Sequence, residues 1–338
     1  MVIDGQVLFR SGPATTAWAL HHGITMSSTS RQPRAKVFLS ALAWLRFWLK
    51  KSLALDAVFV TPLHRLGNAV HQLGNAALVA QASGVTDIVV APNDTFTKAV
   101  SFGHGRRLVF RLPAPRRRLL GRAVLVGRFF WDDEFPDTCD PTKIPAALHG
   151  VENSVMSADQ VANVSPDALV IHLRGGDVFD QRPSRRYGQP PFAFYQVVIG
   201  SRDWDEVVLV SEDTANPVHG LITDYCEEEG ISLTPASGDL LSDVSVLLGA
   251  THLVVASGTF GRTIVVLSSR VKHVYEFEKS AWLYPLGAGV TLHRVVDTDG
   301  SYRNAVMSDN WDNTVEQRHL MANYPPSALS QQPPRTAS

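Results

Sequence analysis

ALVIHLRGGD, residues 168–177, is an apolar run long enough for one buried strand, closed by a histidine, an arginine, two glycines and an aspartate. In an open α/β sheet, ligands bind beyond the carboxyl ends of the strands, so the run points at a site. Arg174 is always charged and offers a planar fork of donors suited to a pyrophosphate. Gly175 and Gly176 let a backbone come close to an anion. The same arginine has a plainer use, pairing with a nearby aspartate to hold a turn, and a short motif does not choose between the two.

Outward from this run, β-rich stretches alternate with helical patterns from residue 56 onward, the signature of βαβ units around parallel sheets. Residues 56–62, 86–92, 107–113 and 123–130 predict a first sheet, and 168–174, 206–212, 251–257 and 271–277 a second. The stretch 132–164 is polar, carries Pro136, Pro141 and Pro145, and lacks a sustained period, which marks an interdomain region. The expected division is an irregular N-terminal segment with an amphipathic helix (1–55), a Rossmann-like domain (56–150), a second Rossmann-like domain (151–322) and a disordered tail (323–338) rich in Pro, Ser and Gln.

The 338 residues, 45% hydrophobic with a formal net charge of −1, describe a soluble globular chain with one large core or two medium ones. Near-neutral charge supplies no general field for nucleic acid. The arginines at 106, 107, 111, 116, 117, 118 and 122 read as a solvated basic edge. Cys139 and Cys226 have no metal-ligand spacing, so neither a disulfide framework nor a metal site is expected, and a reducing, cytoplasmic setting is the default. VFLSALAWLRFWL, residues 37–49, is too short to span a bilayer and contains Arg46. With Lys36, Lys50 and Lys51 it suits either packing on the first domain or peripheral membrane contact through residues 37–51. No charged leader, apolar centre and cleavage site occur in order, and Met26 is an alternative start.

Two further segments bear on the site. HRLGNAVHQLGNAALVA, residues 64–80, passes from the first strand through a glycine turn into a helix, which presents backbone N–H groups to an anion or a sugar hydroxyl. Gly67 and Asn68 either line a cleft there or serve only the turn and cap. His64 and His71 read as surface or packing histidines, and Gln72 as solvent-facing. DVSVLLGATHLVVASGTFGR, residues 243–262, places Ser257, Thr259 and Phe260 at a helix start, where hydroxyl and N–H donors suit a phosphate or merely cap the helix. Asp243 either accepts from a base edge or caps a helix. After the central strand, residues 177–200 run through a proline-interrupted loop into a helix, a natural place for part of an acceptor pocket. Asp177 fixes the turn, and Asp180 is the nominee for general base.

Together these segments resemble the α-1,2-fucosyltransferases and their core α-1,6- and protein O-fucosyltransferase relatives, over most of residues 63–277. Leu66, Gly67, Asn68 and Gln72 match the family's opening turn. His172, Arg174 and Asp177 match its central signature, with Gly175 in place of a second arginine. Ser211, Glu212 and Asp213 follow the next strand as a serine–acid–acid run, and Phe194 and Tyr195 match an aromatic pair. Asp243, Ser257, Gly258, Thr259 and Phe260 fit the last signature, with Gly261 in place of a final serine. The resemblance implies a GT-B-like fold, two facing Rossmann-like domains with parallel sheets. It implies metal-independent, inverting transfer of a sugar, fucose by analogy, from a GDP-sugar to a glycan or other hydroxyl acceptor, with no cofactor. Arg174 would bind the diphosphate, His172 and Asp243 would lie near the guanine, and Gly67 and Asn68 would line the cleft from the first domain. Thr259 and Phe260 would cap the phosphate side. Arg262, or one of Arg182, Arg185 and Arg186, would replace the missing charge.

Three other readings stand beside this one. The donor sugar is a different one, since phosphate contacts say little about the hexose. Alternatively, the chain is a non-catalytic sugar or nucleotide binder, which Gly175 and Gly261 favour. A dinucleotide-dependent oxidoreductase is weaker, because no G-x-G-x-x-G follows a strand.

Overall fold

The computed structural model describes residues 57–60, 65–103, 105–110, 124–129, 141–236, 238–278 and 286–337, with a two-residue antiparallel pair at Val2–Ile3 and Gln6–Val7. The helix expected at 37–51, His64, most of the basic run, Cys139 and residues 132–140 of the interdomain stretch lie outside them.

The chain is an α/β protein of two largely parallel sheets. The first contains β1 (Ala57–Val60), β2 (Asp87–Val90), β3 (Val100–Phe102), β4 (Arg106–Phe110) and β5 (Val124–Gly127), in the order β3-β4-β2-β1-β5. All pairs are parallel except β3 with β4. Helix α1 (Leu66–Ala82) follows β1, and the short helices α2 (Ile144–Leu148) and α3 (Glu152–Val155) complete this half.

The second sheet holds β6 (Leu169–Leu173), β7 (Val207–Ser211), β8 (Leu233–Ala236), β9 (His252–Val254), β10 (His273–Phe277) and β11 (Thr291–Asp297). Between them run α4 (Phe192–Ile199), α5 (Val218–Glu228), α6 (Leu240–Gly249) and α7 (Phe260–Leu267), followed by α8 (Ser301–Val306) and α9 (Val315–Asn323). Strand β6 is apolar on both faces because it lies in the middle, between β7 and β9, with helices covering the sheet.

Strand order fixes where a ligand can enter. The second sheet runs β8-β7-β6-β9-β10-β11, so the chain steps outward from β6 on one side, then returns to start again on the other. The first sheet does the same at β1, with β2 on one side and β5 on the other. A crevice opens at the carboxyl end of such a switch point because the two following connections diverge. The residues after β6 and β9, and those after β1 and β5, therefore border the natural sites of the two halves.

The apolar interior divides by sheet face rather than by domain. One buried cluster runs from Val58, Leu73 and Ile88 of the first half through Leu148 to Val170, Leu247 and Ile264 of the second. The other lies on the far face of the second sheet around Leu169, Tyr195, Tyr302 and Trp311. Helix α1 is buried nearly all round, and two of its polar residues are paired within the first half. Gln72, fully buried rather than solvent-facing, donates to the Arg128 carbonyl at 2.6 Å, and Asn75 donates to that of Phe129 at 3.1 Å. The described part of the interdomain stretch, from residue 141, is also folded, with Ile144, Leu148, Val151 and Val155 buried.

The tail is not disordered as its composition predicts. After Asn323, β12 (Leu329–Gln331) and β13 (Arg335–Thr336) pair antiparallel with β11. Tyr324 is buried and donates to Asp297 at 2.6 Å. Backbone pairing to a preformed edge, not apolar content, orders these residues.

At the opposite end of the second sheet from the switch point, three histidines lie side by side on adjacent strands. His252 and His273 stack at 4.4 Å, and His273 Nδ1 lies 3.1 Å from His293 Nε2. Arg202 donates to His252 Nε2, which leaves the proton of a neutral imidazole on Nδ1, facing the Tyr275 hydroxyl at 3.2 Å. Trp204 packs edge-on against His252, and Arg202 is tied to Asp167.

Candidate functional site

Arg174 follows the last residue of β6, at the switch point. Its backbone carbonyl is held by the Asn216 amide at 2.9 Å, so the turn after β6 is locked to the turn after β7. Its Nη2 donates to Asp177 at 3.0 Å, and its guanidinium carbon lies 4.8 Å from the centre of the Tyr187 ring. Nη1 points toward Gly258, where a Cβ would come within 2.7 Å of it. The Nε of Arg174 is buried and has no hydrogen-bond partner among the described residues. The fork is thus oriented from two sides and not saturated.

The glycines after Arg174 are approached by carboxylates of the chain itself. Asp213 accepts from the Gly176 N–H at 3.0 Å and from the Ala215 N–H at 2.9 Å. A Cβ on Gly175 would sit 2.2 Å from Asp213 Oδ1. Gly176 therefore does not offer its N–H to an external anion, contrary to the expectation for this turn.

His172 projects from β6 beside the start of α7, its ring 5.0 Å from that of Phe260. Burial, with the Arg174 charge adding to it, holds its imidazole down to about 3, so it is neutral. Its Nδ1 is buried without a partner among the described residues. Asp243, in the first turn of α6, is pushed up to about 6, chiefly by burial and secondarily by the Asp239 and Glu212 charges, against a hydrogen bond from the Gly238 backbone. The capping of α6 falls to Asp239, which accepts from Ser242 at 2.8 Å, and not to Asp243.

The first half reaches this corner through α1. Thr259 donates to Asn68 Oδ1 at 3.2 Å, and Thr263 donates to the Gly67 carbonyl at 3.3 Å. A Cβ on Gly67 would lie 2.7 Å from Thr259 Oγ1 and 3.0 Å from the Phe260 nitrogen. Arg65, exposed at the start of α1, lies 3.9 Å from Asp177. The structure thus brings together Gly67, Asn68, Thr259 and Phe260, with His172 against Phe260 and Arg174 against Gly258.

Other expected residues fall elsewhere. Asp180 is exposed at the end of a short 3-10 turn, and Asn313 holds its backbone carbonyl. Arg185 and Arg186 pair with Asp312 and Asp309. Burial lowers the Arg262 guanidinium from its ordinary value, against the charge of Glu276. Glu276 is itself bound by Arg294 at 2.8 Å. Ser257 contributes its carbonyl to Gln189 at 3.4 Å.

Tyr187, Asn216 and Arg65, and the use of Asp213 against Gly175, were missed in the sequence because each is defined by a partner distant along the chain. Among the described residues, no group of three or more His, Cys, Asp or Glu is placed to hold a metal ion, and no helix is long and apolar enough to cross a membrane.

No protein-family model matches the chain. A stretch of 121 residues is 29% identical to the urease accessory protein UreE of Pseudarthrobacter chlorophenolicus, covering 36% of this chain and 72% of that protein. Among solved structures, POFUT1 in complex with GDP aligns with a TM-score of 0.39 at 14% identity, over 66% of this chain and 98% of that one. The Escherichia coli ADP-heptose lps heptosyltransferase II aligns with a TM-score of 0.29 at 12% identity, over 72% and 67%. None of these likenesses places the chain in a family.

Proposed function

We propose that the chain is a glycosyltransferase of GT-B type that takes a nucleoside diphosphate sugar, GDP-fucose by its motifs, and transfers the sugar to a hydroxyl of a glycan or other acceptor. The observation that carries this reading is the unsaturated Arg174 fork at the switch point of one sheet, facing Gly258, while Asn68 of the other half accepts from Thr259, the next residue along. An arginine with a buried donor to spare suits a diphosphate bound in two-pronged fashion.

In the reaction, an acceptor oxygen attacks the anomeric carbon as the bond to the β-phosphate oxygen breaks, and the electron pair leaves with the nucleoside diphosphate. Arg174 meets the charge that develops there. The acceptor proton passes to a base, a role assigned to Asp180 on its exposure and position after the Arg174 turn. Neutral His172 and the Asp243 carboxyl are assigned to the base of the nucleotide. Transfer is metal-independent on this reading, so it persists in EDTA.

Thermal-shift measurements with GDP, UDP and ADP, followed by turnover of GDP-fucose and other GDP-sugars, test the assignment. Stabilisation by GDP with turnover is expected. Arg174→Ala should cost on the order of a hundredfold or more in rate while the protein stays folded. The same assay on Asp180→Asn should change the pH–rate profile, and an unchanged profile removes Asp180 as base. A second reading, a binder without turnover, is favoured by the Asp213 carboxylate filling the space where a second arginine would stand. Stabilisation by GDP with no turnover of any GDP-sugar would establish it, and no response to any nucleotide would reject both.

A further inference from the structure

The loop between the 3-10 turn after Arg174 and α4 reads in sequence as a natural place for part of an acceptor pocket, and in the structure it is a platform braced from several sides. A Cβ on Gly188 would lie 2.1 Å from the Val306 carbonyl oxygen, so the loop lies directly on the end of α8. The Tyr302 hydroxyl donates to the Gln189 carbonyl at 2.7 Å, and Trp311 N–H reaches the Arg185 carbonyl at 3.2 Å. The Gln189 side chain is fully buried, and its Nε2 donates to the Tyr187 carbonyl at 2.7 Å and to the Ser257 carbonyl at 3.4 Å. One amide therefore ties the platform both to itself and to the corner at the start of α7. Its Oε1 is buried without a partner among the described residues, so the geometry is set by the two Nε2 bonds, since a buried donor is costly to leave unpaired.

What the platform presents is Tyr187, whose ring lies under the Arg174 guanidinium at 4.8 Å. Asp177 grips only Nη2, at 3.0 Å, and Asp177 is half exposed. A single ion pair at one nitrogen leaves the plane of the guanidinium free to rotate. A ring face beneath it removes that freedom, since a planar cation lies flat on an aromatic surface. Gly258 leaves room for Nη1 on the side away from Asp177.

We propose that Tyr187 and Gln189 are positioning residues for Arg174. Gln189 fixes the platform against the Ser257 corner, and Tyr187 sets the plane of the guanidinium so that its free donors face a bound diphosphate. The positioning is a property of the protein without ligand, while its use rests on the donor-binding reading above.

The test has two arms. In nitrogen-15 labelled full-length protein, the Arg174 Nε–Hε signal, identified by its loss in Arg174→Lys, is expected upfield of exposed arginines because of the Tyr187 ring current. Tyr187→Phe should keep that position. Tyr187→Leu should move the signal to the exposed-arginine region, and Gln189→Met should move or broaden it, with thermal melting confirming that each variant is folded. A signal unmoved in Tyr187→Leu or in folded Gln189→Met overturns the proposal, and Tyr187→Leu, at a partly exposed site, keeps the test decisive if Gln189→Met does not fold. In the second arm, GDP affinity should fall about tenfold in Tyr187→Leu and Gln189→Met and stay within about twofold in Tyr187→Phe. If wild-type protein fails to bind GDP while the spectral pattern holds, the positioning stands and the donor reading falls. If GDP binds all four proteins equally, the positioning role falls.

Discussion

Gly175 shows how a departure from a motif can be forced by its surroundings. The second arginine that the resemblance leads one to expect has no space here, because both oxygens of Asp213 are engaged by backbone N–H groups and its carboxylate lies 2.2 Å from where a Cβ would be. Asp213 cannot swing away without leaving two donors unpaired. Gly175→Ala should therefore destabilise the protein by about 1–3 kcal/mol in denaturant unfolding. Gly175→Ala with Asp213→Ala should cost less than the sum of the single changes, and strict additivity would show that the two do not touch in solution. Gly261 has a similar cause, with His172 Nδ1 and the Val255 side chain 3.2 Å from where its Cβ would be. Arg174 and His172 were legible because they end an apolar run, whereas Gly67 and Asn68, read as a turn and a cap, lie inside the first turn of α1, whose N-cap is Arg65. The carboxylate that excludes a second arginine was not, since residue 213 meets residue 175 only through the pairing of β6 with β7.

Among the elements, eight strands were readable, the edge strand β5 among them, whereas β8 and β11 were not although both pair in parallel with a neighbour. β1, β2, β5, β6, β7, β9 and β10 fall within the predicted runs and β4 starts one residue before its run, because strands covered by helices are rich in apolar residues. β8 carries Pro235 and lies at a sheet edge, and β11 mixes Thr291, His293 and Arg294 with apolar residues, so neither has such a run. The contact of α1 with α7 is the element-level feature on which the site depends. It is made possible by Gly67, whose missing side chain admits Thr259 and the Phe260 backbone. Gly67→Ala should wedge these helices apart, with a loss of about 1–3 kcal/mol in stability and weaker GDP binding. Unchanged stability and binding would mean that the approach relaxes at no cost.

For the whole molecule, pH dependence follows from four histidines. Burial pulls His172 down to about 3 and His252 to about 4, and lowers His273 and His293 as well. Each binds its proton more readily when the chain is unfolded, so its stabilising effect is fully present above the unfolded value of about 6.5 and is lost as pH falls below it. For His172 and His252 the loss approaches about 1.4 kcal/mol per pH unit until the folded value is reached, and His273 and His293 act in the same direction. Asp243 has the opposite sign. Its folded value, about 6, lies above the unfolded one, so it favours the folded state in acid, and that contribution is lost as pH rises through about 6. The melting temperature should fall between pH 7 and pH 4.5, because several histidines outweigh one carboxyl. Asp243→Asn should raise it at pH 7.5 and not at pH 4. A melting temperature that rises on acidification would contradict the burial of the histidine row.

The last described residues cover the edge of β11, and their removal is expected to change how copies of the molecule treat one another. Ala337 exchanges a reciprocal pair of amide contacts with Gly289 and Val290, at 3.0 and 2.9 Å, so β11 has no bare rim on that side. Removing residues 324–337 would uncover a row of unsatisfied amides and carbonyls beside Leu292 and Val295. Such a rim recruits a strand from a neighbouring molecule. The polar, proline-bearing composition that makes residues 324–337 look dispensable is what lets them serve as a guard against self-association.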